Sequence, residues 1–201
     1  DSVIDTSDNC SKGDTGWTPS AATDYDSDGC RDSTEDPDDD NDGVLDSAPD
    51  NCPTGEMGWT PSGANDYDSD GCKDDTEDDD DDGDSVDDDD DECELGDLGW
   101  NSNSGTDHDG DGCRDSSEDL DDDNDGVEDL DPDNCPQGEV GWISDSLNDY
   151  DGDGCKDDVE DNDDDGDGVV DGNDNCDDGA LNWTSSPATD HDGDGCQDST
   201  E

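Results

Sequence analysis

The chain has 201 residues, 73 of them acidic and 5 basic, for a formal charge of −68. Leu, Ile and Val total 17 and Phe is absent, so there is too little apolar surface to offset about 1–2 kcal/mol of backbone entropy per residue. This excludes an ordinary hydrophobic-core domain. It also excludes nucleic acid and anionic membrane surfaces as partners, and no apolar run approaches the roughly 20 residues of a membrane span.

Composition alone reads as disorder. The spacing of 10 Cys and 5 Trp opposes that reading. The chain opens on Asp1-Ser2-Val3, with no leader pattern, and is expected to be a mature form or a window from a longer array. Asp1, Asp5 and Asp8 read as the remnant of an acidic loop. Cys10, Trp17 and Cys30 follow, and the pattern C-x6-W-x12-C then recurs with periods alternating between 42 and 41 residues. Its later copies are Cys52, Trp59 and Cys72; Cys93, Trp100 and Cys113; Cys135, Trp142 and Cys155; and Cys176, Trp183 and Cys196. Five repeats are expected: 1–42, 43–84, 85–126, 127–167 and a truncated 168–201.

Each second cysteine lies in a twelve-residue loop of the form D-x-D-x-D-G-x-x-D-x-x-E. In such a loop, carboxylates at positions 1, 3 and 5 converge on an ion. The glycine permits the turn, position 7 offers a backbone carbonyl, and position 12 can bind bidentate. The first loop supplies Asp24, Asp26, Asp28, the Cys30 carbonyl, Asp32 and Glu35. The second copy supplies Asp66, Asp68, Asp70, the Cys72 carbonyl, Asp74 and Glu77. The third supplies Asp107, Asp109, Asp111, the Cys113 carbonyl, Asp115 and Glu118. The fourth has Asp149, Asp151, Asp153, the Cys155 carbonyl, Asp157 and Glu160. The fifth has Asp190, Asp192, Asp194, the Cys196 carbonyl, Asp198 and Glu201.

A second loop begins three residues after each of the first four. Its expected ligands are Asp38, Asp40, Asp42, the Val44 carbonyl and Asp46 in the first repeat. The next repeat offers Asp80, Asp82, Asp84, Asp88 and Asp91, with Ser85 where glycine is expected. Asp121, Asp123, Asp125, the Val127 carbonyl and Asp129 follow, and then Asp163, Asp165, Asp167, the Val169 carbonyl, Asp171 and Asp174. Pro49 and Pro132 occupy the twelfth position of two copies, where Asp50 and Asp133, one residue on, can substitute. Neighbouring sites are expected to share carboxylates around Glu35 and Asp38. Hard oxygen ligands in this number suit calcium, at about two ions per repeat. Position 8 carries Arg31, Lys73, Arg114, Lys156 or Gln197 instead of an apolar residue, and amphipathic helices are absent, so a groove-opening sensor is not expected.

Ten cysteines in such a chain point to an oxidising, extracellular setting. Zinc is the competing reading, but there is no C-x2-C pair, and His108 and His191 stand at the outward second loop position. Two regular disulfide patterns are open. Pairing within repeats gives Cys10–Cys30, Cys52–Cys72, Cys93–Cys113, Cys135–Cys155 and Cys176–Cys196. Pairing across repeats begins with Cys30–Cys52. The first leaves no free thiol and closes the tryptophan loop, which stabilises by roughly 3 kcal/mol in the chain-entropy model. Each Trp is expected to form a miniature core on its own disulfide, joined by Val44, Val127 and Val169. The alternative is an exposed ring for stacking on a sugar. Ser/Thr/Pro patches after each Trp read as turns or O-glycosylation sites, and Asn182 and Asn9 fit N-glycosylation sequons.

Asp50-Asn51-Cys52-Pro53, followed by Asp66-x-Asp-x-Asp-Gly-Cys72 and a further acidic loop, resembles the thrombospondin type 3 repeats. The tryptophan spacing and the 20-residue cysteine interval depart from that family's pattern. The longer unit is similar to Asp-rich arrays of secreted or surface microbial proteins. The resemblance implies a mostly irregular, calcium-filled, disulfide-tied chain outside the cell. No nucleophile–base pair, phosphate loop or open three-ligand metal site is visible, so no enzyme is expected. The first expectation is a calcium-stiffened rod, self-associating into a fibre or surface stalk. A calcium-dependent adhesion module and a high-capacity calcium buffer are the alternatives.

Overall fold

The computed structural model of the chain describes residues 3–4, 6–47, 49–130 and 132–199. Among them the one regular element is a single 3-10 turn, Asp171–Asn173. The chain separates into two compact units, Asp1–Asn101 and Ser102–Glu201.

The near absence of helix and strand follows from the aspartates. Asp and Asn side chains accept the N–H two residues on, which offers the backbone an alternative to ladder bonds. Here that local bond is made in series. Asp26 takes the Asp28 N–H at 3.0 Å and Asp28 takes the Cys30 N–H at 2.7 Å. Asp36 takes the Asp38 N–H, Asp40 the Asp42 N–H, and Asp42 the Val44 N–H. The later repeats repeat the scheme, for example at Asp68, Asp70, Asp78 and Asp82. The buried backbone donors are thereby satisfied without secondary structure.

Both loop types close in the same way. The position-9 N–H bonds the carbonyl just before position 1, as in Asp32 to Thr23 and Asp46 to Pro37. The position-9 carboxylate accepts the position-2 N–H, as in Asp32 from Tyr25 and Asp46 from Asp39. Position 4 has positive φ at Ser27 (65°), Asn41 (58°), Ser69 (66°) and Asn124 (55°), and of these residue types asparagine tolerates the left-handed region. Position 6 is left-handed as well, and Ser85, at φ 85°, adopts the glycine conformation without being glycine.

All ten cysteines are disulfide-bonded. The bonds include Cys10–Cys30, Cys52–Cys72, Cys135–Cys155 and Cys176–Cys196, each spanning 20 residues. Pairing therefore lies within repeats. The second cysteine of each pair is buried, as are Trp100 and Trp142, whereas Trp17, Trp59 and Trp183 are half-buried. Val44, Val127 and Val169 are half-buried too. The deepest side chains are not apolar. The largest fully buried ones are ten aspartates: Asp24, Asp40, Asp66, Asp84, Asp107, Asp123, Asp125, Asp149, Asp167 and Asp190. The interior of each unit is built of carboxylates.

Successive repeats are tied through one glycine, three residues after the first cysteine. Its N–H is held by position 3 of the preceding second loop: Gly55 by Asp40 (2.7 Å), Gly96 by Asp82 (2.8 Å), Gly138 by Asp123 (2.6 Å) and Gly179 by Asp165 (3.1 Å). Its carbonyl accepts from position 2 of the preceding first loop: Gly55 from the Tyr25 hydroxyl, Gly96 from Tyr67 and Gly179 from Tyr150. His108 Nε2 meets the Gly138 carbonyl at 2.9 Å in the same place. His108 thus acts as a latch between repeats, a role that its outward loop position did not suggest.

Candidate metal centre

Positions 1, 3 and 5 of the loops converge. Asp24, Asp26 and Asp28 each bring a carboxylate oxygen within 4.8 Å of the others, as do Asp66, Asp68 and Asp70 and the second-loop set Asp38, Asp40 and Asp42. Position 1 is fully buried in all five first loops. Positions 3 and 5 of the second loops are buried in all four copies, including Asp165 and Asp167. In the fifth repeat Asp192 and Asp198 are exposed and Asp194 is half-buried. Glu201 lies outside the described residues, as do Asp1 and Asp5.

Many of these carboxylates keep an oxygen that is sealed from solvent and has no hydrogen-bond partner. Asp24 Oδ2, Asp42 Oδ2, Asp66 Oδ2, Asp125 Oδ2 and Asp167 Oδ2 are in this state. An uncompensated buried carboxylate costs several kcal/mol, so such groups are protonated, paired or metal-bound. Pairing has almost nothing to draw on. Four of the five basic residues sit at loop position 8, and Arg31, Lys73 and Lys156 pair instead with Asp14, Glu56 and Glu139 at the surface. Lys156 also lies 5.6 Å from the Trp142 ring centre.

Burial, and after it neighbouring carboxylates, raises the aspartate pKa values. Asp68, Asp82, Asp109, Asp125 and Asp165 are pushed up to about 6 and Asp151 to about 7. Without cations these six carboxylates would take up protons near neutral pH. The donor set fits a hard divalent ion: it is all oxygen, since every cysteine is oxidised and His108 Nε2 is occupied by a carbonyl.

The close of the second loop is fixed from the cysteine side, not by counting from its first aspartate. Asp50, Asp91, Asp133 and Asp174 all stand two residues before a cysteine and accept its N–H, at 2.7, 2.6, 2.7 and 2.6 Å. Asp50 is raised to about 6 by burial, with Asp40, Asp42 and Asp46 as its nearest charges, so it belongs to the second loop. The single-residue excess at Pro49 and Pro132 produces the alternation of the period. The same aspartates press on the glycine of the first loop: a Cβ on Gly71 would lie 2.7 Å from Asp50 Oδ1, and one on Gly154 2.4 Å from Asp133 Oδ1.

Two expected ligands have neighbours beyond their own loop. Position-9 Asp32 brings a carboxylate oxygen within 4.8 Å of Asp36 and Asp39, while its counterpart Asp74 is among the charges that act on position-1 Asp66. Asp32 Oδ1 also accepts the loop-closing Tyr25 N–H. Glu35, at position 12, accepts the Asp14 N–H at 2.5 Å beside the turn after Cys10, and its Oε2 is enclosed without a partner. Glu77 and Glu160 stand at the equivalent Gly55 and Gly138. Asp36, Asp78, Asp119 and Asp161, just after that glutamate, were not among the expected ligands. Neither were Asp39, Asp81, Asp122 and Asp164, at position 2 of the second loops. The Asn9 side-chain nitrogen, which a glycan would require, donates to Asp28 Oδ2 at 2.7 Å, whereas Asn182 is exposed with φ 65°.

Compared with known proteins, the chain matches no family profile and no curated sequence.

Proposed function

We propose that the chain is a non-enzymatic structural protein of the extracellular space: a tandem-repeat rod, stiffened by calcium, that forms or belongs to a fibre or surface stalk. The observation that carries this reading is the carboxylate interior, with fully buried aspartates such as Asp125 and Asp167 whose Oδ2 atoms lack any partner. Cations take the place of the missing hydrophobic core, and disulfides restrict the unfolded chain. Asp24, Asp26 and Asp28, with the Cys30 carbonyl, would hold one ion. Asp38, Asp40, Asp42 and Asp50, with the Val44 carbonyl, would hold the next, and the later repeats follow suit. Calcium supplies charge compensation and no chemistry. The likeness to thrombospondin type 3 repeats supports the same reading. So does the full oxidation of the cysteines, which fits an oxidising compartment. No helix among the described residues is long and apolar enough to cross a membrane.

The glycine links between repeats favour a rod over an ion buffer, because a buffer needs only charge, whereas Gly55, Gly96, Gly138 and Gly179 are each held at both backbone polar groups. The test is near-UV circular dichroism of the oxidised protein with small-angle scattering, titrated with EGTA and then calcium. The reading requires tryptophan signals and a stiff, elongated particle that appear only with calcium. A featureless coil at millimolar calcium would refute it and favour the buffer.

A further inference from the structure

In the first repeat the position-9 aspartate of the first loop meets two residues that no loop pattern claims, together with the position-9 aspartate of the second loop. In the first repeat Asp32, Asp36 and Asp39 bring carboxylate oxygens within 4.8 Å of one another. Asp46 completes the group, its carboxylate approaching that of Asp39 to hydrogen-bonding range. The same four places hold Asp74, Asp78, Asp81 and Asp88 in the second repeat, with Asp115, Asp119, Asp122 and Asp129 in the third and Asp157, Asp161, Asp164 and Asp171 in the fourth.

These groups are half-buried, with single oxygens sealed inside them. Asp122 is 7% exposed, and its Oδ1 is sealed from solvent with no hydrogen-bond partner. Asp39 Oδ1, Asp81 Oδ1 and Asp164 Oδ1 are sealed and unpartnered as well, as are the Oδ2 atoms of Asp36, Asp78, Asp119 and Asp161. Asp122 and Asp129 approach each other to hydrogen-bonding range, although neither ionised carboxylate has a proton to give. The third repeat carries one further sign. Gln137 reaches back from the next repeat and donates from a single Nε2 to Asp115 Oδ2 (3.0 Å) and Asp122 Oδ2 (2.9 Å), so these two carboxylates converge on one electropositive group. A surface hollow lined by Asp122, Asp129, Gln137 and Glu160 gives access from solvent.

We propose that each junction between a first and a second loop holds a further divalent cation, gripped by Asp32, Asp36, Asp39 and Asp46 and their counterparts, so that a full repeat carries three ions. The all-oxygen ligand set selects calcium, and on that identity the inference rests on the calcium reading of the loops. The residue two after the next first cysteine differs between junctions: Thr54 for the first, Leu95 for the second, Gln137 for the third and Asp178 for the fourth. Gln137 offers an amide and Asp178 a further carboxylate, while Lys12 stands at the equivalent place after Cys10.

Native mass spectrometry of the oxidised full chain in calcium tests this. The parent is expected to bind ions in its nine loops and four junctions. The variant Asp39→Ala/Asp81→Ala/Asp122→Ala/Asp164→Ala is expected to lose four ions and keep its calcium-dependent near-UV signal. An unchanged ion count overturns the proposal. If the quadruple variant loses the near-UV signal, Gln137→Lys decides, since the Gln137 side chain bonds the junction carboxylates Asp115 and Asp122 and a lysine there delivers an ammonium to the third junction. The loss of one ion supports the site, and an unchanged count overturns it. A parent that binds no calcium refutes the loop reading itself. A parent with filled loops and insensitive junctions refutes only the third ion.

Discussion

The glycines at loop position 6 look interchangeable in sequence but do two different jobs, and a pair of alanine substitutions separates them. Gly126, in a second loop, has φ 94°, and a Cβ there would meet only Ile143 Cγ2, at 3.8 Å. Gly154, in a first loop of the same unit, has φ 81°, and its Cβ would lie 2.4 Å from Asp133 Oδ1 and 2.8 Å from Cγ. Both substitutions incur left-handed strain of about 1–2 kcal/mol. Only Gly154→Ala also displaces Asp133, which holds the Cys135 N–H at 2.7 Å and closes the preceding second loop. A hydrogen bond to a charged group contributes about 1.5–3 kcal/mol. Gly126→Ala should therefore destabilise by roughly 1–2 kcal/mol, and Gly154→Ala by roughly 2.5–5 kcal/mol. The assay is urea unfolding of the calcium-saturated, oxidised protein, followed by near-UV circular dichroism. Equal losses would show that Asp133 does not press on the first-loop glycine, and the mechanical coupling of the two loops would be wrong.

Ser85→Gly should stabilise by about 0.5–1 kcal/mol in the same assay, because Ser85 already sits at φ 85° and gives up only the Oγ contact from Asn101. Tyr67→Phe removes the hydroxyl bond to the Gly96 carbonyl and should cost about 1 kcal/mol, without changing the number of ions bound in native mass spectrometry. The pH response should reverse with metal. Asp68, Asp82 and Asp125 at about 6 and Asp151 at about 7 bind protons more tightly folded than unfolded. The stability of the metal-free form should therefore be greatest below about pH 4 and fall as pH rises through 6 to 7. The calcium-loaded form should instead lose order as acid competes for its ligands. Near-UV spectra from pH 4 to 8, in EGTA and in calcium, check both arms.

The cysteine period and the alternation of Asp with Gly made the loops, their register and the lack of regular secondary structure readable from sequence, because Asx bonding and left-handed glycine act within a few residues. What escaped depends on how one loop lies against the next. Position 9 is a ligand position in a solitary loop, yet Asp32 also reaches Asp36 and Asp39 at the junction while its Oδ1 accepts the Tyr25 N–H. The position-12 glutamate also has a contact no loop pattern predicts: Glu35 Oε1 accepts the Asp14 N–H beside the turn after Cys10. The latch at His108 is invisible in the loop pattern, because that pattern fixes only the direction of position 2 relative to its own ion and not the Gly138 carbonyl of the next repeat. Repetition within the chain carried the missing signal: aspartate recurs at 36, 78, 119 and 161, and at 39, 81, 122 and 164. Glycine likewise recurs three residues after every first cysteine.

The disulfides also decide what would happen under a pulling force. Tension passing along the first unit crosses from Cys10 to Cys30 through sulfur, and the 20-residue stretch with its tryptophan is bypassed. The load falls on the 22-residue step from Cys30 to Cys52, which contains the second loop, and resumes its short cut at Cys52–Cys72. Fully drawn out, that step reaches at most ~75 Å. On the calcium reading, each repeat is then a spring with two settings: ion activity in the surroundings fixes the force at which it yields, and sulfur fixes the length at which it stops.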